Sequence, residues 1–172
     1  MGILRGPGSI SDINTVRRSV MNNWIYNTLQ PIDSFEFIDG KIYISGDFIL
    51  KDLKATKLNP PFPIYHVHGD VILANSQLET LDGCPEVVDG NFDCSGCKNL
   101  KSLKGAPKNV SDCFDCSNCP KLKSLNGAPE TVEGNFDCSN CPKLKSLNGA
   151  PKYVREDFTC VNSGIKNVKV TS

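Results

Sequence analysis

The sequence predicts an α+β chain that is mainly a β-solenoid of about six coils, entered through one capping helix and a β-hairpin. Three observations predict it. Phenylalanine recurs at Phe92, Phe114, Phe136 and Phe158, a period of 22 residues, and a period of about 20–29 with apolar residues at fixed offsets marks units that bury their edges against one another. Asp39-Gly40 lies between two alternating apolar runs, the strongest short-range signal for a two-residue hairpin turn. Upstream, apolar residues recur at steps of three and four, the period of a helix face.

The helix comes first. Ile13, Val16, Val20, Trp24, Ile25 and Leu29 form one stripe between Ser11, a suitable N-cap, and Leu29, with Pro31 just beyond it as a stop. Residues 1–33 are therefore expected to be a tail and amphipathic helix, acting as a cap or docking element, and residues 34–172 a hairpin followed by the solenoid. The hairpin strands are Phe35-Glu36-Phe37-Ile38 and Lys41-Ile42-Tyr43-Ile44.

Beyond the hairpin the register can be written in rows. The phenylalanine row extends back through Val71 to Phe48. Four residues before each member stand Ile44, Val67, Val88, Val110, Val132 and Val154; two residues after stand Leu50, Leu73, Cys94, Cys116, Cys138 and Cys160. Later in each unit comes an aliphatic pair: Ala55 and Leu58, Leu78 and Leu81, Leu100 and Leu103, Leu122 and Leu125, Leu144 and Leu147, Ile165 and Val168. Small turn residues such as Gly105-Ala106-Pro107 and Gly127-Ala128-Pro129 follow. Four residues after the row opener stand Asn75, Asn118, Asn140 and Asn162, with Gly96 the exception. An amide at that bend is expected to satisfy backbone groups of the neighbouring coil.

Phe136-Asp137-Cys138-Ser139-Asn140 with Leu144 and Leu147 resembles the leucine-rich-repeat pattern of apolar-x-apolar-x-x-Asn-x-Leu, and the Gly-Ala-Pro and Val-x-Gly-Asn-Phe elements are similar to the short repeats of bacteriophage and bacterial proteins of that kind. The resemblance spans residues 42–170 and implies the fold but not a function. Phe and Cys replace the usual leucines, and the three cysteine-rich coils carry an extra residue after the Asn position.

Nine cysteines invite a zinc reading, because Cys94-x-x-Cys97, Cys116-x-x-Cys119 and Cys138-x-x-Cys141 have the spacing of a four-cysteine site. The rows argue against it. The first cysteine of each pair replaces Leu50 and Leu73, and the second replaces Ser76 and Ser163, so the thiols are read as small core residues. An odd count argues against a disulfide framework. His66 and His68 alternate around Val67, the spacing of a two-histidine metal site, but no third ligand is evident and both are read as solvent-facing. No metal or other cofactor is expected.

The 19 basic and 19 acidic residues cancel, which leaves no nucleic-acid footprint. No apolar run approaches the ~18 residues of a membrane span, and the start lacks the apolar core of a signal peptide, so a reducing cytoplasm is the expected setting. Nothing resembles a nucleophile elbow, a phosphate loop or a paired-carboxylate site, and the chain is read as no enzyme.

Charge on the exposed strand face is the remaining signal. Asp93, Asp115 and Asp137 should stack at the strand spacing of ~4.8 Å, with Ser95, Ser117 and Ser139 beside them. A basic row, Lys101, Lys123 and Lys145, runs nearby, flanked by Lys98, Lys121 and Lys143. Duplication of one solvated unit would produce such stripes; so would an interaction face. These residues together with Trp24 are the candidate contacts of a protein partner, host or viral, with neither nucleic acid nor membrane involved and self-association left open. The expected function is a non-enzymatic interaction module encoded by a bacteriophage and acting in the infected cytoplasm. The alternative is a virion structural or assembly component that uses the solenoid as spacer or decoration.

Overall fold

The computed structural model describes residues 15–21, 23–24 and 34–165. Strands β1 (Ser34–Ile38) and β2 (Lys41–Ser45) form the expected antiparallel hairpin. Asp39 and Gly40 both have positive φ, +49° and +76°, as the turn that matches the twist of paired strands requires.

From β2 onward every coil contributes two short strands. They are β2 and β3 (Phe48–Ile49), β4 (Ile64–Val67) and β5 (Val71–Ile72), β6 (Val87–Val88) and β7 (Phe92–Asp93), β8 (Asn109–Val110) and β9 (Phe114–Asp115), β10 (Thr131–Val132) and β11 (Phe136–Asp137), and β12 (Tyr153–Val154) and β13 (Phe158–Thr159). They stack into two sheets, β1-β2-β4-β6-β8-β10-β12 and β3-β5-β7-β9-β11-β13, parallel throughout except where β1 runs antiparallel to β2. The third side of each coil, which carries the leucine pairs, is irregular. The chain is thus a β-solenoid, and both row registers hold: Val67 pairs with Val88 and Val88 with Val110, while Phe92 pairs with Phe114 and Phe114 with Phe136.

The core follows from that register. Phe48, Phe92, Phe114 and Phe136 are fully buried, as are Cys94, Cys116 and Cys138 two residues beyond the last three. The rings of Phe92, Phe114, Phe136 and Phe158 stack face to face, with centroids 5.0, 5.2 and 5.0 Å apart. Parallel strands one repeat apart place identical side chains over one another, and aromatic pairs at such distances contribute about 0.5–1.5 kcal/mol beyond their buried area.

The amide row has a different cause from the expected one. Asp52, Asn75, Gly96, Asn118, Asn140 and Asn162 all adopt φ between +55° and +66°, the left-handed region that Gly, Asn and Asp enter most readily. Gly96 is therefore no exception. The Asn75, Asn118 and Asn140 side chains are exposed, and it is their backbone N–H groups that donate to Ser95, Ser139 and Val161 carbonyls of the next coil. A second left-handed corner falls on the Gly-Ala-Pro turns. At Gly127 φ is +90°, and a Cβ there would stand 2.6 Å from Lys104 Cα, so only glycine fits.

The N-terminal helix covers the open edge of the first coil. Met21 is fully buried and the Trp24 ring stacks on Phe48, centroids 6.4 Å apart and planes 17° from parallel. The buried face differs from the expected stripe, since Val16 and Val20 are 63% and 44% exposed. Ser11, Ile13, Ile25, Leu29, Pro31 and Val168 lie outside the described residues. Among those described, no helix is long and apolar enough to cross a membrane.

Candidate functional site

The acidic row forms as its spacing predicts. Asp93 pairs with Asp115 and Asp115 with Asp137 across β7, β9 and β11. Each carboxylate also has a local task, because its Oδ1 accepts the backbone N–H two residues on, from Ser95, Ser117 and Ser139, each at 2.8 Å. Burial, followed by the charges of Asp93 and Asp137, pushes the Asp115 carboxyl above its ordinary value, against the lowering effect of its bond from Ser117. Ser117 and Ser139 are only 5% and 8% exposed. The Ser139 hydroxyl accepts from Val161 N and that of Ser117 from Asn118 Nδ2, so these two present little to a partner. Ser95 is half-buried, and Trp24 is committed to Phe48.

The basic row lies across the left-handed corner from the aspartates, on the irregular side of the coil. Lys101, Lys123 and Lys145 are exposed. Lys101 pairs with Glu79 of the preceding coil at 2.7 Å, which holds the glutamate below its usual value, and Lys145 donates to the Pro142 carbonyl. A further row escaped the sequence reading: Glu86, Lys108, Glu130 and Lys152 alternate in sign, with ion pairs Lys108–Glu86 at 3.1 Å and Lys152–Glu130 at 2.8 Å. Opposite charges repeat at 22 residues there, and only the aligned rows reveal it.

All nine cysteines are free thiols. Cys97, Cys119 and Cys141 donate to the carbonyls of Leu73, Cys94 and Cys116 in the preceding coil, each at 3.4 Å, as Ser76 does to Leu50 at 3.0 Å. Burial pushes the Cys97 thiol up to about 11 and that of Cys138 up to about 12, and burial, with the neighbouring thiols, holds Cys94 and Cys116 well above the ordinary value too. Such groups stay protonated at neutral pH and behave as core atoms.

Cys113 belongs to another ladder. Asp47 Oδ1 accepts from Asp70 N, Asp70 Oδ1 from Asn91 N, Asn91 Oδ1 from Cys113 N, Cys113 Sγ from Asn135 N and Asn135 Oδ1 from Asp157 N. This row fastens each coil to the next at the corner between the sheets. Its thiol is half-buried rather than fully solvent-facing, and burial pushes it above its ordinary value.

The two histidines acquire a third group that alternation around Val67 alone did not reveal. His66 Nε2 lies 2.8 Å from Asp89 Oδ1, and His68 Nδ1 lies 2.8 Å from Asp89 Oδ2. Both imidazoles project to one side because they flank the buried Val67 and side chains two residues apart share a face; Tyr43 of β2 stands opposite His66. Burial works to raise the Asp89 carboxyl, but hydrogen bonds and charge from both histidines outweigh it and hold it below the ordinary value. The signal was present in the rows: one residue past the valines stand Ser45, His68, Asp89, Ser111, Glu133 and Arg155. No family model matches the chain, and no curated protein or solved structure is significantly similar to it.

Proposed function

We propose that the chain is a non-enzymatic protein-binding module that holds a basic partner segment against the outer face of its second sheet. The observation that carries this reading is the unbroken charge of the Asp93, Asp115 and Asp137 row. Asparagine would supply the same Oδ1 acceptor to Ser95, Ser117 and Ser139 without the like-charge repulsion of about a few tenths of a kcal/mol per pair. Charge is therefore present beyond what the fold uses, whereas the Glu86, Lys108, Glu130 and Lys152 row pairs opposite signs. Ile49 and Ile72, half-buried, continue the aspartate row toward the N-terminal side, so the face joins an apolar strip to an acidic one. Such a surface suits a partner with basic and apolar side chains, steered by long-range attraction. Kinship with the short leucine-rich repeats, an origin in a bacteriophage and action in the infected cytoplasm belong to the same proposal.

The test uses a partner captured from the native host and then purified. Binding of the whole chain and of the Asp93→Asn, Asp115→Asn, Asp137→Asn variant is followed at two ionic strengths. Association should slow several-fold in the variant and lose most of its salt dependence. Equal kinetics in the two proteins would remove the acidic face from the interface.

A further inference from the structure

We infer that His66, His68 and Asp89 form a binding site for a single first-row transition-metal ion, with Zn2+ as the probe of choice. Among the described residues this is the one group of three or more His, Cys, Asp or Glu side chains whose ligand atoms gather closely enough, all within 4.8 Å of one another. Ligands held about 2.0–2.2 Å from one ion in tetrahedral geometry stand about 3.3–3.6 Å apart, so modest side-chain rotations separate this arrangement from coordination. The donor set selects the metal: two imidazoles favour zinc, copper, nickel or iron over magnesium or calcium, which prefer all-oxygen shells.

The scaffold is well suited to the task. His66 and His68 flank Val67 at the end of β4, and Asp89 follows Val88 at the end of β6 in the next coil. Backbone bonds from His68 N to Ile44 O, 2.9 Å, and from Asp89 N to Val67 O, 3.0 Å, fix their relative height. The two imidazole centroids are 4.1 Å apart, and the Tyr43 ring lies 6.4 Å from that of His66. Ligands carried in or directly after strands, with the backbone pinned by these bonds, lose little freedom on binding. In the metal-free arrangement one nitrogen of each ring is hydrogen-bonded to the Asp89 carboxylate. Coordination requires that nitrogen to present its lone pair, with any proton on the ring held at the other nitrogen, and turns the carboxylate from hydrogen-bond partner to ligand. His66, His68 and Asp89 side chains are 21%, 50% and 42% exposed, so an ion would keep open positions for water or for a group from a second molecule. Because the ligands come from two coils, the ion would tie the second coil to the third.

Zinc is titrated calorimetrically into the full chain carrying Cys113→Ser, which removes a partly accessible thiol while leaving a hydroxyl to accept from Asn135 N. One ion per chain is expected, with no heat from Mg2+. Stoichiometric binding should vanish in the His66→Gln, His68→Gln variant and weaken at least about tenfold in Asp89→Asn, with far-ultraviolet circular dichroism confirming the fold of each. If the double variant does not fold, Asp89→Asn decides alone, since its amide oxygen still accepts from one histidine. Co2+ bound at this site should give visible ligand-field bands without a thiolate charge-transfer band. Absence of binding, full binding in the variants, or a thiolate band that moves the metal to the cysteines would each overturn the site.

Discussion

At the scale of single residues the solenoid is held by side chains that reach one coil back or forward, and Cys113 is the weakest acceptor of the corner ladder. In the ladder from Asp47 to Asn135 every other acceptor is an oxygen, at 2.7–3.2 Å from the N–H it caps, whereas Cys113 Sγ stands 3.4 Å from Asn135 N. Sulfur is the poorer acceptor. Cys113→Asn restores the amide found at Asn91 and Asn135 and should raise the free energy of unfolding in urea by about 0.5–1 kcal/mol; a fall in stability would show that the thiol is packed, not capping. Asp115 allows a second test through pH. Its folded-state carboxyl is raised above the ordinary 3.8 by burial and by its two neighbours, so ionisation costs stability wherever the pH exceeds the folded value. The penalty fades as pH falls through that value, because the folded chain takes up the proton first. Asp115→Asn should therefore stabilise at neutral pH by about a few tenths of a kcal/mol, with the gain fading as pH falls through the folded value and gone only below the ordinary 3.8. A gain independent of pH would mean that charge is not its source.

At the scale of elements the helix, the hairpin and the coils differ in how far the sequence revealed them. Rows of Phe and Val were legible because parallel coils repeat one register, so a fixed offset in sequence becomes a fixed offset in space. The hairpin was legible from Asp39-Gly40, whose positive φ values few residue pairs tolerate. The helix was legible as a helix but not in its facing. Its apolar residues spread over a broad arc, and the end of the first coil selects Met21 and Trp24 from that arc, leaving Val16 and Val20 in solvent. Helical periodicity cannot choose between such faces without the surface it meets. The His66, His68 and Asp89 cluster was only half visible: alternation around Val67 pairs the histidines, and Asp89 joins them only once the β4 and β6 rows are aligned. If the helix is a cap, Trp24→Ala should destabilise the chain by about 2–3 kcal/mol, below the usual range for a buried aromatic because the ring is only half-buried. Val16→Ser with Val20→Ser should leave stability within about 0.5 kcal/mol. Equal effects of the two changes in chemical denaturation would show that the helix does not use this face to close the solenoid.

At the scale of the whole molecule, stability is shared along a line, because each coil touches only its neighbours. The described ends of that line are unequal. The first coil lies under Met21 and Trp24, whereas Val154, Phe158 and Cys160 of the last are only partly buried and Val161 is 62% exposed. The row position of Cys160 leads to the expectation that it is as protected as Cys94, Cys116 and Cys138, and the structure corrects this: a row residue is sealed only when it is covered on both sides, by a coil or, as at Phe48, by the helix. Local opening in such an array starts where fewest contacts are lost, so the thiols report on it in sequence. Mild alkylation of the native chain should modify Cys113 and Cys160 first. Cys113 should react more slowly than an unhindered thiol, because burial and the Asp112 carboxylate both raise it. Cys138 and Cys141 should follow through opening of the last coils, and Cys94 and Cys97 should come last, only with global unfolding. Mass spectrometry of timed samples reads this order directly. Simultaneous modification of the seven slower cysteines would show that the solenoid opens as one cooperative unit, and early loss of Cys94 would place the weak end beside the helix.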